Sequence, residues 1–203
     1  MKHLLKLLDL SEDEILEILN LADQLKYERK NGIPHPHLAG KTLGMIFQKS
    51  STRTRVSFET GMYQLGGTAL FLSSHDLQIG RGEPVEDTAR VLSRYLDGVM
   101  IRTFEQAEVE ALAEYGSIPI INGLTDYCHP CQVLADLLTI REHKGILKGR
   151  KLCFIGDGNN MANSLIVGGI KMGMAVSVAC PASHQPDATL MAWAAENGDF
   201  TCT

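Results

Sequence analysis

Along most of the chain, short apolar runs alternate with stretches in which apolar side chains recur every three or four residues. Four runs predict β-strands, at 42–47, 68–72, 97–101 and 118–121. Helical periodicity follows each run, at 53–65, 85–96, 105–115 and 129–143. Before them, Ser11 and Glu14 have the spacing of a capping box and predict a helix that reaches about Arg29. Alternating strands and helices predict an α/β fold with a doubly wound parallel sheet, whose ligands bind beyond the carboxyl ends of the strands.

The polar, glycine-containing segment at 144–150 predicts a domain boundary, after which the same pattern starts again. Apolar runs at 151–155 and 175–179 predict two more strands, each followed by a helix, and 200–202 has the pattern of a third strand. We therefore expect a doubly wound domain at 1–148 and an incomplete second, Rossmann-like α/β domain at 149–203.

The junction between the first strand and its helix is rich in hydrogen-bond donors. Ser51, Thr52, Arg53 and Thr54 supply three hydroxyls and one guanidinium just after the strand that ends at Phe47. The first N–H groups of a helix lack intrahelical partners and lie at the positive end of its dipole, so they bind anions. A helix cap alone needs one hydroxyl, and the larger set predicts a phosphate or carboxylate site.

Two further polar clusters follow predicted strands, at 102–103 and at 122–129. Because the carboxyl ends of parallel strands share one edge of a sheet, we expect all three clusters to meet on one ligand. Within the last cluster, His129 precedes Pro130, which is typical of a first helical turn. Gln132 lies three residues further on, on the same helical face, and adds an amide for the same ligand.

Composition limits the partners of such a site. The chain has 203 residues, 44% of them hydrophobic, and a formal net charge of −5, which favours a soluble globular protein that binds no nucleic acid. No apolar run reaches the roughly 18 residues of a membrane span, so we expect a cytoplasmic protein that binds no membrane. Five scattered cysteines suit free thiols in a reducing compartment.

Short motifs raise redox, metal and cofactor alternatives. Cys128 and Cys131 form a C-x-x-C at a strand-to-helix turn, the setting of thioredoxin-like sites, and a thiol-redox function stays open as an alternative. A zinc site would need a second pair of ligands at a suitable spacing, so we expect no metal. Gly156 and Gly158 begin a dinucleotide fingerprint, but Met161 replaces its third glycine, so we expect no nicotinamide cofactor.

The Ser-Thr-Arg-Thr sequence at 51–54 and the His-Pro-Cys-Gln sequence at 129–132 resemble the motifs of the aspartate and ornithine carbamoyltransferases. The resemblance covers essentially the whole chain. It implies that residues 51–54 hold the phosphate of carbamoyl phosphate and that Arg102 binds both this phosphate and the carbonyl oxygen. It assigns His129 to the carbonyl oxygen and Gln132 to the carbamoyl amino group.

Other positions favour ornithine-type members of the family. Gln78 lies where those members carry a glutamine on a mobile loop that reaches the neighbouring subunit's active site, which implies a homotrimer or a multiple of one. In the turn at 156–160, Asn160 matches the residue that binds the carboxylate of L-ornithine, and Asn159 would support it. The implied reaction transfers the carbamoyl group to the side-chain amine of ornithine, giving citrulline and phosphate in arginine metabolism without a cofactor.

The resemblance gives Arg102, His129 and Thr54 the catalytic role of stabilising the carbonyl oxyanion. Family segments that grip the amine of ornithine, and a final helix that packs on the first domain, are not found in these 203 residues. We therefore expect this chain alone to turn over ornithine slowly or not at all. A truncated carbamoyl-phosphate-binding module, or a pseudoenzyme, is the alternative function.

Overall fold

The computed structural model describes residues 2–74 and 77–203, except for the side chains of residues 80 and 81. The chain divides into two compact units. Unit 1 comprises Met1–Leu5 and Gln24–Thr125, and unit 2 comprises Lys6–Asp23 and Asp126–Thr203. Helix α1 (Glu12–Lys30) contributes residues to both units. The domain boundary predicted after residue 148 stays a prediction. Within the described ranges, no helix is long and apolar enough to cross a membrane.

Unit 1 contains a parallel sheet. Its strands are β1 (Thr42–Phe47), β2 (Thr68–Ser73), β3 (Gly98–Arg102) and β4 (Ile120–Leu124). The connecting helices are α2 (Thr52–Gln64), α3 (Val85–Leu92) and α4 (Gln106–Tyr115), and a 3-10 helix covers Gln78–Arg81. The strand order is β2-β1-β3-β4. The chain therefore changes direction between β1 and β3, which is the point where doubly wound sheets bind their ligands.

The strands of unit 1 bury side chains on both faces of the sheet. One core lies against α2 and contains Leu43, Met45, Phe47, Met62 and Met100. The other lies against α3 and α4 and contains Ile46, Ala89, Leu96, Val99, Ile101, Val109, Leu112 and Ile120. Successive β1 residues thus point to opposite faces, as the pleat of a strand requires. Helices on both faces confirm the predicted doubly wound α/β fold.

Unit 2 repeats the pattern on a smaller scale. Its helices are α5 (Pro130–Lys144), α6 (Asn160–Lys171) and α7 (Ala188–Asn197), and a 3-10 helix covers Leu7–Asp9. Its parallel strands are β5 (Lys151–Ile155), β6 (Ala175–Ala179) and β7 (Phe200–Cys202), in the order β5-β6-β7. The core contains Ile166, Ile170, Val176, Val178 and Ala194. The predicted third strand at 200–202 is confirmed.

Two predicted elements have wrong boundaries, and at each one a side chain donates to a backbone carbonyl oxygen. Helix α3 ends at Leu92, before Leu96, and the Ser93 hydroxyl donates to the Ala89 carbonyl oxygen of its last turn at 2.7 Å. Strand β4 continues past Ile121 to Leu124 and includes the fully buried Asn122. A strand accommodates this amide because its Nδ2 donates to the carbonyl oxygen of Leu5 at 2.8 Å.

Helix α1 offers a matched test of the core. Leu19 is 1% exposed and Leu21 is 53% exposed on the same helix. We expect Leu19→Ala to lower the free energy of unfolding by about 2–5 kcal/mol, because it removes buried methyl groups and leaves a cavity. Leu21→Ala should change it by less than about 0.5 kcal/mol. Urea unfolding of both variants measures the difference, and equal losses would contradict the burial of Leu19.

Candidate functional site

The carboxyl ends of β1 and β3 lie side by side in unit 1. Phe47 pairs with Arg102 at the end of the ladder, and the Gln48 N–H donates to the Arg102 carbonyl oxygen at 2.9 Å. The segment that follows β1 therefore starts at the change of direction in the sheet, where the fold favours a ligand site.

Ser51 is the N-cap of α2. Its backbone is extended, with φ −160° and ψ 113°, and its Oγ accepts the Thr54 N–H at 3.2 Å. The same hydroxyl donates to Thr54 Oγ1 at 3.0 Å. Two of the three predicted hydroxyls thus organise the first turn itself, whereas Thr52 and Arg53 are exposed at the helix start. The cap fixes the turn whose remaining N–H groups point along the positive end of the helix dipole.

Arg102 is half-buried at the end of β3. Its Nε atom is buried and has no hydrogen-bond partner among the residues that the structure describes. Burial, followed by the charge of Arg53, lowers the pKa of Arg102 below its ordinary value. A guanidinium stays protonated even so, and the two like charges repel each other. An anion at this edge of the sheet would relieve the repulsion and satisfy the buried Nε.

Glu108 of α4 holds the two strand ends in place. Its Oε2 accepts from Gln48 Nε2 at 3.0 Å and from the hydroxyl of the fully buried Thr103. One carboxylate thereby joins the residue after β1 to the residue after β3. Sequence reasoning missed this role, because a glutamate in the first turn of a helix is common for the helix dipole alone.

A cavity of about 240 Å³ opens beside the start of α2 in unit 1. Most of its lining residues are polar, and they include Gln48, Ser50, Ser51, Thr52, Ser73 and Ser74. Arg55 also borders it, with Nε 2.9 Å from Glu59 Oε1 and its guanidinium carbon 3.8 Å from the centre of the Phe71 ring. The hydroxyl-rich wall suits a small, strongly hydrated ligand.

Gln78 is exposed and begins the 3-10 helix at Gln78–Arg81. The loop after it is anchored in two places within unit 1. The Glu83 N–H donates to the Gln78 carbonyl oxygen at 3.1 Å, and the buried Thr88 hydroxyl donates to Glu83 Oε2 at 2.7 Å. The side chain of Gln78 is thus presented at the surface of unit 1.

In unit 2, the backbones of His129 and Asn160 are joined by one buried hydroxyl. His129 is the N-cap of α5, and its N–H donates to Ser164 Oγ at 2.8 Å. Ser164 is 3% exposed, and its hydroxyl donates to the Asn160 carbonyl oxygen at 2.8 Å. Ser164 therefore fixes the start of α5 relative to the start of α6, although no sequence motif pointed to it.

The neighbouring Asn163 strengthens this connection. Its Nδ2 donates to the Tyr127 carbonyl oxygen at 2.9 Å, and its Oδ1 accepts the Asp187 N–H at 3.0 Å. The amide is 6% exposed, so each bond replaces a lost contact with water. Three segments of unit 2 are held at one place by adjacent residues of α6.

The other predicted residues of unit 2 have local partners. Asn159 caps α6, and its Oδ1 accepts the N–H groups of Met161 at 2.9 Å and Ala162 at 3.3 Å. Gln132 is exposed on α5, and its Nε2 donates to Asp136 Oδ1 at 2.9 Å. An amide held by a weak exposed contact can exchange it for a ligand at little cost.

The C-x-x-C motif lies in unfavourable surroundings for redox chemistry. Cys128 is buried and Cys131 is half-buried. Burial, with the nearby Cys128, raises the pKa of Cys131 to about 12. Thiol–disulfide exchange needs a thiolate, which this environment suppresses at neutral pH, so the structure disfavours the thioredoxin-like alternative.

The glycine turn after β5 packs against the chain itself. A Cβ on Gly158 would lie 2.1 Å from the Pro186 nitrogen, and the Gly158 N–H donates to the His184 carbonyl oxygen at 2.7 Å. The close approach that this glycine permits is therefore made to the segment before α7. Among the residues that the structure describes, no group of three or more His, Cys, Asp or Glu side chains could hold a metal ion.

Two family descriptions match the chain in tandem. "Aspartate/ornithine carbamoyltransferase, carbamoyl-P binding domain" matches residues 2–142, and "Aspartate/ornithine carbamoyltransferase, Asp/Orn binding domain" matches residues 148–201.

Individual proteins agree with these matches. The ornithine carbamoyltransferase of Carboxydothermus hydrogenoformans is 59% identical over 186 residues, which are 92% of this chain and 60% of that protein. The one of Oceanobacillus iheyensis is 61% identical over 186 residues, which are 92% of this chain and 58% of that protein. The solved structure of ornithine carbamoyltransferase from Pyrococcus furiosus has a TM-score of 0.96 and 52% identity, covering 99% of this chain and 66% of that one.

This chain thus spans about 60% of the length of the curated relatives named here. Within that span, both matched domains follow one another in the same order as the two sheets of the structure. The chain belongs to the aspartate/ornithine carbamoyltransferase family.

Proposed function

We propose that the protein is an ornithine carbamoyltransferase, which transfers the carbamoyl group of carbamoyl phosphate to the side-chain amine of L-ornithine and releases citrulline and phosphate. One observation carries the proposal. The Nε of Arg102, at the change of direction in the sheet, is buried and has no partner among the described residues, and burial and the like charge of Arg53 both lower the pKa of this side chain. The relatives named ornithine carbamoyltransferase support the choice of reaction.

The phosphate of carbamoyl phosphate is the anion that this edge of unit 1 is suited to bind. The free N–H groups at the start of α2 and the side chains of Ser51, Thr52, Arg53 and Thr54 would hold its oxygens. Arg102 would bridge the phosphate and the carbonyl oxygen, which gives its Nε a partner. This arrangement would keep the leaving group bound as the C–O bond breaks.

The carbamoyl end would be held by His129 at the carbonyl oxygen and by Gln132 at the amino group. In the reaction, the neutral amine of ornithine forms a bond to the carbamoyl carbon and loses one proton, and the bond from that carbon to the phosphate oxygen breaks. Arg102, His129 and Thr54 would stabilise the negative charge that develops on the carbonyl oxygen. Correct placement of the two substrates supplies the remaining acceleration, and no cofactor takes part.

Asn160 would bind the carboxylate of ornithine, with Asn159 fixing the turn through its cap of α6. The exposed side chain of Gln78 supports a role at a neighbouring subunit in a homotrimer or a multiple of one. The five cysteines, all within the described ranges, form no disulfide, which agrees with a reducing, cytoplasmic location.

The first test addresses the phosphate. Arg53→Ala should weaken the binding of inorganic phosphate and carbamoyl phosphate by about 1.5–3 kcal/mol, roughly tenfold to over a hundredfold, because a charge-assisted contact to a dianion is lost. Isothermal titration calorimetry measures both affinities. Arg90→Ala is the control, since Arg90 pairs with Asp87 on the surface of α3 at 2.9 Å. Equal phosphate affinity in the Arg53 and Arg90 variants would exclude the site.

The second test addresses the positioning of His129 by Ser164. Ser164→Ala should weaken the binding of carbamoyl phosphate about tenfold, because the N–H of His129 loses its acceptor and the start of α5 is no longer held by Ser164. Inorganic phosphate should bind to the variant as before, since residues 51–54 hold it. Thr139→Ala is the matched control, because it removes a similar hydrogen bond within α5, from Thr139 Oγ1 to the Ala135 carbonyl oxygen at 2.8 Å. A parallel loss for both ligands would show general destabilisation and contradict a positioning role.

The reaction is tested by following products from carbamoyl phosphate with purified protein and either L-ornithine or L-aspartate. We expect slow turnover or none from this chain alone, and any product formed should be citrulline and not carbamoyl-aspartate, because Asn159 and Asn160 carry no charge that would bind a second carboxylate. Carbamoyl-aspartate as the main product would contradict the assignment of ornithine as the acceptor. Carbamoyl phosphate binding without either product would favour the binding-module alternative over the transferase.

A further inference from the structure

Two cysteine thiols lie next to each other in unit 2, outside the proposed site. Cys180 follows β6 and Cys202 is the last residue of β7. Their Sγ atoms are 3.8 Å apart, and each side chain is half-buried. A disulfide needs a sulfur–sulfur distance of about 2.05 Å, so the two sulfurs must approach each other from this contact before the bond can form.

The parallel ladder holds these thiols on the same face of the sheet. Val178 pairs with Cys202, and side chains two residues apart on a strand share a face, so Cys180 lies on the face of Cys202. The Cys180 N–H donates to the Thr203 carbonyl oxygen at 2.9 Å, which continues the ladder past the end of β6. The proximity of the thiols is therefore imposed by backbone pairing.

Their surroundings are apolar but not closed. Both thiols pack against the core that contains Ile166, Ile170, Val176, Val178 and Ala194. Burial, and then the contact with Cys180, raises the pKa of Cys202 above its ordinary value. Partial exposure still leaves a path for a small reagent to reach the sulfurs.

We propose that Cys180 and Cys202 form a dithiol site that exchanges with small-molecule disulfides of the glutathione class and closes to a reversible disulfide between β6 and β7. In the first step, a thiolate of the pair attacks the reagent, forming a mixed disulfide and releasing one reagent thiolate. In the second step, the other cysteine displaces the second reagent thiol. The pair loses two protons and two electrons, and the reagent disulfide is reduced to two thiols.

The disulfide would link strand β7 covalently to strand β6. The two cysteines are 22 positions apart, and the loop between them contains α7. A cross-link over such a loop stabilises the folded state mainly by restricting the unfolded chain. Oxidation of this site would thus raise the thermal stability of unit 2 without involving the residues proposed to bind substrate.

The test treats the purified chain with excess oxidised glutathione. We expect the loss of the Cys180 and Cys202 thiols, apart from a glutathione adduct on the exposed Cys153, a peptide containing Cys180 linked to a peptide containing Cys202 in non-reducing mass spectrometry, and a rise in the melting temperature. Dithiothreitol should reverse all three changes. Glutathione adducts on separate cysteines without this cross-link would overturn the proposal, as would a Cys128–Cys131 disulfide in its place.

Variants make the assignment specific. Cys202→Ser should leave a glutathione adduct on Cys180, without the cross-link and without the rise in melting temperature, and Cys180→Ser should leave the adduct on Cys202. The Cys128→Ser, Cys131→Ser double variant is the matched control and should still form the cross-link between Cys180 and Cys202. If that control no longer forms the cross-link while its circular dichroism is unchanged, the proposed pair is wrong.

Discussion

The proposed anion site depends on one constraint, the burial of the charged Arg102 side chain at the end of β3, to which the like charge of Arg53 adds repulsion. Like charges at the edge of a sheet separate unless the surrounding structure holds them, and here burial already disfavours the charged form of Arg102. Glu108 holds this edge of the sheet together, because its carboxylate accepts hydrogen bonds from the residues that follow β1 and β3. The electropositive edge is therefore prepared before any ligand arrives, which is the arrangement that stabilises developing charge without reorganisation.

In unit 2, uncharged polar groups fix the geometry of the proposed site. The Ser164 hydroxyl accepts from one helix start and donates to another, and Asn163 beside it bonds two further segments. Buried polar groups of this kind are costly when a partner is missing, so a fully bonded cluster admits few alternative geometries. The backbone positions of His129 and Asn160 are consequently set by the buried hydroxyl of Ser164.

Local patterns were enough to predict most of the fold. The capping box of α1 is present, with the Ser11 N–H donating to Glu14 Oε2 at 2.8 Å, and the cap at Ser51 also joins residues three positions apart. The missed residues act over long separations: 60 positions divide Gln48 from Glu108, and 35 divide His129 from Ser164. From the sequence alone, a carboxylate or hydroxyl on a helix cannot be distinguished from any other polar residue, because its distant partner is unknown. Periodicity therefore predicts elements, whereas the rigidity of a site comes from pairings that periodicity does not contain.

The cysteines also show that sequence spacing does not predict which side chains meet. Spacing directed attention to Cys128 and Cys131, and burial raises the pKa of Cys131 to about 12. The thiols 3.8 Å apart are instead Cys180 and Cys202, which belong to neighbouring parallel strands. Parallel neighbours need a crossover connection of a dozen or more residues, so a reactive pair across them cannot form a short motif. In a doubly wound chain, topology decides which distant side chains meet, and close spacing in the sequence is a poor guide to that chemistry.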